Sequence, residues 1–254
     1  MKIVVVINNK GGVGKTTSAV NIAAWCARLG RRTLLADFDP SAGASRHLGF
    51  GPGADRVKTL CDYLVDENRD LAAAIHPAGD ELLFCLPAEP SLADFYLEVA
   101  EESADAFFLS REQIPQEFDL VFCDCPPNMG PLATNALAMA DYALIPVQAQ
   151  YLAVAGLEVT DDMLSKARRH LNPRLRTLGY FLTHFDRRTR TAAEVYDTLK
   201  QRYGDLLLPT VIGMNIKLAE AARAGEPILR YAPSARGAIE YGELTKAVLA
   251  RIQD

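Results

Sequence analysis

The eight residues Lys10-Gly11-Gly12-Val13-Gly14-Lys15-Thr16-Thr17 constrain this chain more than any other feature. They follow an apolar run, Ile3 to Ile7, and open an amphipathic segment, Ser18 to Leu29. A strand, a glycine-rich loop and a helix in that order make a phosphate cradle. The glycines let the backbone curl so that its N–H groups point inward, and the helix adds the positive end of its dipole. In such a cradle Lys15 reaches the β- and γ-phosphates and the Thr16 hydroxyl sits on Mg²⁺. The spacing is a shifted form of G-x-x-x-x-G-K-[ST], with a second lysine, Lys10, ahead of the glycines. From there Lys10 lies too far back to bind the same phosphates easily in cis. Its ammonium is free to reach a phosphate held by a neighbouring subunit, as an arginine finger does.

Acidic strand ends complete the constellation. Leu34 to Pro40 ends a strand with Asp37 and Asp39, the second of them 24 residues after Lys15. Carboxylates there can hold a Mg²⁺ shell or orient an attacking water. Leu120 to Pro127 is an apolar run ending in Asp124, then a proline stop. That is a Walker B pattern, its carboxylate expected to reach Mg²⁺ through water.

The string K-G-G-V-G-K-T-T resembles the deviant Walker motif of the ParA/MinD/nitrogenase-iron-protein superfamily of dimeric ATPases, with Lys10 as its signature lysine. Asp37-Phe38-Asp39-Pro40 resembles the family's D-x-D-P-Q switch, and Asp124-Cys125-Pro126-Pro127 its D-x-P-P switch. The resemblance implies that Asp39 positions the hydrolytic water and Asp37 supports the metal shell. Ser41 stands where the family usually has Gln, and Ala42-Gly43-Ala44-Ser45 where G-N-A-T is usual. Ile145-Pro146-Val147-Gln148 with Tyr151 and Gly156, Leu182 to Thr189, Asn215 to Ala221 and Gly225 to Leu229 are similar to the ParA/Soj partition branch. That branch implies that Thr183 and the loop Gly213-Met214-Asn215 flank an adenine. Gly213-Met214 replaces the family's usual Pro-Arg.

Five cysteines, an odd number, are expected to be free thiols in a chain of cytosolic character. Cys123 and Cys125 read as buried structural thiols, a metal pair being the minor possibility. No apolar run approaches the roughly 20 residues of a membrane span. No signal peptide is expected from Met1-Lys2-Ile3. His47, His76, His170 and His184 have no metal-ligand spacing and receive no role.

A net charge of −5 argues against a generic nucleic-acid binder, but the charge is unevenly spread. From Leu164 to Arg236 there are 14 Lys/Arg against 6 Asp/Glu, a local +8 on an acidic protein. Such a segment suits contact with a polyanion on one face. Arg187, Arg188 and Arg190 form a dense loop, with Lys217 and Arg223 beyond it. The family resemblance implies non-specific DNA binding through Arg188 and Lys217, and no base-reading motif is evident. The short, weakly basic end, Val248 to Asp254, resembles a packed helix rather than the anchor of a MinD-like protein.

Strand-length apolar runs fall at 2–8, 33–36, 81–86, 120–123, 143–147, 177–183 and 207–212. Helical patterns fall at 16–29, 91–102, 157–171, 191–203, 218–224 and 235–252. Glu98, Glu101, Glu102 and Asp105 read as a solvated helical face. The alternation predicts an α/β fold: one domain, 1–254, with a mostly parallel twisted sheet flanked by helices on both faces. The resemblance implies an ATP- and Mg²⁺-dependent ATPase that forms an ATP-bound homodimer, binds DNA and is stimulated by a ParB-like protein. It implies a cytoplasmic, nucleoid-associated protein with no membrane partner, for chromosome, plasmid or cargo positioning. The alternatives are a MinD-like surface-positioning ATPase and an iron-sulfur reductase of the nitrogenase iron-protein type.

Overall fold

The computed structural model describes residues 1–51, 55, 57–66, 68, 70–95, 109–128 and 130–253. A seven-stranded sheet in the order β3-β4-β2-β5-β1-β6-β7 runs through it. β1 (Lys2–Val6) lies at its heart, parallel to both β5 (Leu120–Asp124) and β6 (Tyr142–Gln148). β2 (Thr33–Asp37) joins β5 to β4 (Leu83–Leu86), and β7 (Arg176–Thr183) closes the other side, all parallel. β3 (His76–Asp80) alone is antiparallel, at the edge.

A strand with parallel neighbours and helices on both faces is apolar throughout, with no solvent side to fill. β1 obeys this. Val4 and Val6 enter one core, and Ile3 and Val5 the other. The first core is covered by α1 (Lys15–Arg28) and α9 (Arg236–Gln253), with Val20, Ile22, Tyr241 and Leu244 fully buried. α4 (Pro131–Met139), α5 (Tyr151–His170) and α6 (Arg190–Tyr203) cover the second, together with the short α3 (Leu60–Val65).

α1 anchors its side of the sheet through polar bonds as well. Ser18 Oγ lies 3.0 Å from the Tyr241 hydroxyl, and Trp25 Nε1 donates to the Ala238 carbonyl at 3.0 Å. Asn21 Oδ1 accepts from the Ile228 N–H at 2.8 Å. That residue begins α8 (Ile228–Tyr231), which follows α7 (Ile216–Ala224). α7 ends at Gly225, whose φ of 73° is left-handed. A Cβ there would meet the Gly49 Cα at 3.2 Å. Gly49 closes the segment after α2 (Gly43–His47), so the two backbones pack directly.

The expected fold class is the one observed, but its elements differ in several places: the helices α2, α3, α4 and α8 were not expected, and three further differences have a local cause. Residues 207–212 are not a strand. Leu208 and Ile212 donate to Tyr180 and Leu182, but Pro209 has no N–H and only isolated bridges form. β3 was not expected, because His76-Pro77-Ala78-Gly79-Asp80 lacks a strand pattern and survives only at an edge. α5 begins at Tyr151, six residues before its expected start. Most of the helical pattern at 91–102, and its acidic face, lies outside the described residues.

Gly225→Ala is expected to lower unfolding free energy by about 2 kcal/mol, since it adds left-handed strain and a clash with Gly49. Urea denaturation measures this. An unchanged midpoint would show that the Gly49–Gly225 packing does not hold the helices together.

Candidate functional site

Strand register gathers the acidic groups. Asp124 ends β5 level with Val6 on one side and Asp37 on the other, at the edge where the glycine-rich loop leaves β1. Gly14 caps α1 with φ 87°, and no side chain takes up the helix's first N–H groups. Those donors are thus left for an anion. A cavity of about 440 Å³ opens there, lined by Gly11, Gly12, Gly14, Lys15, Thr16 and Thr17 on one side. Asp39, Thr183, Gly213, Met214 and Asn215 line the rest, so the structure brings most of the expected nucleotide residues together. Val13 is buried behind the loop, its carbonyl accepting from Thr183 Oγ1 at 2.8 Å.

Lys15 is 7 % exposed, and its Nζ donates to the Lys10 carbonyl at 3.0 Å. Burial draws the ammonium pKa down, while Asp124 and Asp39 pull it back up. Asp124 is fully buried. Neither of its carboxylate oxygens has a hydrogen bond of full geometry. Burial first, and the nearby Asp37 second, push its pKa well above the usual carboxylate range, and the Thr16 hydroxyl beside it draws it back. An orphaned carboxylate beside a hydroxyl and a lysine suits a hydrated divalent cation, which supplies the missing positive charge. Thr16 and Asp124 therefore fit Mg²⁺.

Asp37 has a different environment. Its Oδ1 accepts from the Asp39 N–H at 3.0 Å, and its Oδ2 accepts from the Ser45 N–H and hydroxyl at 2.9 and 2.7 Å. Burial raises its pKa to about 6 even so. Asp37 thus holds the turn that carries Asp39, whose own Oδ1 accepts from the Ser41 N–H at 2.8 Å. Ala42 passes this turn with a left-handed φ of 52°, and a Cβ on Gly43 would lie 3.2 Å from Thr16 Cγ2. The turn after Asp39 therefore lies close against Thr16.

Two residues at the cavity, one in its wall and one behind it, carried no sequence signal. His184 adopts a left-handed φ of 51° and lines the cavity, where its half-buried ring bounds the space beside Gly14. Burial lowers its pKa. Glu240, from α9, accepts from the Gly213 N–H at 2.8 Å and pairs with Arg236 at 2.7 Å, fixing the loop at 213–215.

The basic residues divide. Phe185 N–H donates to the Ile212 carbonyl at 3.0 Å and Phe185 bridges to Gly213, which sets the loop of Arg187, Arg188 and Arg190 beside the start of α7. Arg188 pairs with Asp186 at 2.9 Å, Arg190 with Glu194 at 2.8 Å and Lys217 with Glu220 at 2.7 Å. Arg223 stands apart, six residues further along α7, or about 9 Å on the helix axis. All five cysteines are free and buried, and no metal-binding cluster occurs among the described residues.

A protein family described as an AAA domain matches residues 1–177. The chromosome-partitioning ATPase Soj of Thermus thermophilus is 41 % identical over 248 residues, covering 97 % of this chain and 95 % of its own. The chain belongs to the Soj/ParA family of chromosome-partitioning ATPases. A second Soj, the sporulation initiation inhibitor protein of Bacillus subtilis, is 38 % identical over 98 % of both chains. Among solved structures, cobyrinic acid a,c-diamide synthase of Mycobacterium smegmatis, with bound ATP analog and magnesium, superposes with TM-score 0.83 at 29 % identity. That match covers 100 % of this chain and 96 % of the synthase. The MinD cell division ATPase of Pyrococcus furiosus, at TM-score 0.77 and 22 % identity, shares the fold. Among the described residues no helix is long and apolar enough to cross a membrane.

His47, on the α2 of this Soj/ParA protein, carries a pH prediction. It is 3 % exposed, and its Nε2 has no partner. Burial drives its pKa down to about 4, the Glu226 backbone opposing this weakly. The unfolded imidazole titrates near 6.5, so between about pH 6.5 and 4 the unfolded state binds more protons and stability falls as pH falls. The loss approaches about 3 kcal/mol at the acid end. Melting curves of His47→Leu are expected to lack this component. Equal acid sensitivity in both proteins would contradict it.

Proposed function

We propose that this protein is a DNA-partition ATPase whose ATP-bound homodimer binds DNA without sequence preference. The 1–254 span acts as one ParA-like unit. ATP lies in the cavity, its phosphates on the loop from Gly11 to Thr17 and its adenine between Thr183 and the loop of Gly213, Met214 and Asn215. Mg²⁺ is held by Thr16 and, through water, by Asp124. Asp37 acts by shaping the switch turn rather than as a free ligand, because its oxygens already accept three hydrogen bonds. Asp39 orients the hydrolytic water. Lys10 leaves its own cradle and reaches the phosphates of a second copy, so that two nucleotides are sandwiched between two chains.

The observation that carries this reading is the pairing of Phe185 with Gly213. One wall of the nucleotide cavity and the loop of Arg187, Arg188 and Arg190 are a continuous piece of backbone. A change in the first moves the second. Dimerisation doubles the cationic surface formed by these arginines and Lys217, with Arg223 at its margin, and avidity raises affinity steeply. Phosphate contacts alone make binding sequence-blind and salt-sensitive. A ParB-like activator stimulates hydrolysis, which parts the dimer and releases it from the nucleoid.

A second reading, a MinD-like surface-positioning ATPase, draws on Met214 and Ile216, which are 70 % and 74 % exposed beside the cations. Such apolar side chains suit a protein or lipid surface better than a phosphate backbone. The iron-sulfur reading has no comparable support, since every cysteine is buried.

Asp39→Ala is expected to bind ATP and dimerise while turnover falls at least about a hundredfold, the scale of losing a water-orienting group. Light scattering and phosphate release measure the two. Normal turnover would remove Asp39 from the mechanism. Arg188→Glu is expected to dimerise normally with ATP but to lose about tenfold or more in affinity for random-sequence duplex. Undiminished affinity would move the DNA surface elsewhere.

A further inference from the structure

Thr160 is a buried hydroxyl on α5 that bonds to the phosphate loop instead of its own helix. A helical threonine ordinarily returns its hydroxyl to a carbonyl one turn back. Here Oγ1 donates to Asn9 Oδ1 at 3.0 Å, with Asn8 Oδ1 at 3.4 Å, and the Asn9 N–H points at it across 3.4 Å. Thr160 is 0 % exposed, so these bonds hold where water does not compete.

Asn8 carries the constraint forward. Its Nδ2 donates to the Pro146 carbonyl on β6 at 2.8 Å, and its Oδ1 accepts from the Lys10 N–H at 2.9 Å. The Lys10 carbonyl accepts from Lys15 Nζ. Both peptide planes beside Lys10 are therefore fixed. Its ammonium, by contrast, has no hydrogen bond or ion pair among the described residues.

The helix presenting Thr160 is itself pinned. The neighbouring Asp161 accepts from the Tyr180 hydroxyl on β7 at 2.5 Å and the Tyr203 hydroxyl on α6 at 2.7 Å. Arg202 pairs with the same carboxylate at 3.2 Å. Adjacent positions on one helix thus face the loop and a rigid tyrosine pair.

We propose that Thr160 is a positioning residue for Lys10. Its hydroxyl fixes the Asn8-Asn9 segment so that Lys10 is aimed out of its own cradle, toward phosphate bound by a second copy of the chain. This rests on the trans role given to Lys10 above. Thr160→Val preserves shape and deletes only the bonding group.

The test uses the full chain with Mg²⁺ and ATP. Thr160→Val is expected to bind a fluorescent ATP analogue as a monomer within about twofold of the parent, since the cradle itself is untouched. Its dimer dissociation constant is expected to rise about tenfold, and kcat to fall similarly while KM holds. Thr160→Ser restores the hydroxyl and both quantities. Asn9→Ala removes the same bond from the loop side and shows the same split, which covers the case of Thr160→Val failing to fold. In a Lys10→Ala background neither substitution weakens dimerisation further. Parent-like dimerisation and turnover in Thr160→Val overturns the proposal, and so does full additivity with Lys10→Ala. Parent-like dimerisation in Lys10→Ala alone overturns the trans role itself, and the proposal with it.

Discussion

Asp124 brings a charge to a point that water does not reach. Parallel pairing on both sides of β5 sets it level with Val6 and Asp37, under the first turn of α1. Burying a carboxylate with no hydrogen-bond partner costs several kcal/mol. Protonation or a cation offsets that cost, and the nearby Lys15 ammonium is itself disfavoured by burial. A bound metal and phosphate would meet the Asp124 carboxylate and the Lys15 ammonium with opposite charge. The loop, the switch turn and the register of the central strands all follow from holding this carboxylate in place.

A chain of contacts runs outward from the strand ends beside Asp124. Asp37 ties the end of β2 to Ser45 on α2, and Ser45 Oγ in turn accepts from the Ala88 N–H at 2.8 Å beyond β4. α2 then passes through Gly49 onto Gly225 at the end of α7. α7 begins at Asn215, whose side chain accepts from the Lys217 N–H at 2.9 Å and caps the helix. The Asp37 turn, α2 and α7 are thus linked by buried side-chain hydrogen bonds at one end and by the Gly49–Gly225 backbone contact at the other. Backbone-to-backbone packing without a Cβ transmits a shift with little loss, because close-packed interiors are stiff.

Much of this was readable in the chain because it is local chemistry. A phosphate loop needs consecutive glycines, a lysine and a hydroxyl within eight residues, and Lys10 to Thr17 has them in order. β1 and β5 were visible as unbroken apolar runs, as buried parallel strands must be. What escaped depends on partners distant in sequence. α4 is apolar nearly all round, Pro131-Leu132-Ala133-Thr134-Asn135-Ala136-Leu137, so it shows no amphipathic period. Residues 207–212 have a strand's composition, yet Pro209 and an edge position reduce them to isolated bridges. Asp37 was expected to support the metal shell and Asp39 to position the water. The chain turns after Asp37, so one carboxylate braces the turn and the other faces the cavity. Thr160 meets Asn9 across 151 positions, and His184 takes a left-handed φ, neither of which a lone threonine or histidine announces.

In the proposed function, nucleotide state governs DNA affinity through the Phe185–Gly213 connection. Its most direct test is the binding of the unmodified protein to random-sequence duplex with ATP, with ADP and without nucleotide, each at two salt concentrations. Tight binding is expected with ATP alone, equal for unrelated sequences and falling steeply as salt rises. Absence of DNA binding in every state, with ATP-driven dimers confirmed in the same samples, would contradict it and leave the surface-positioning reading in its place.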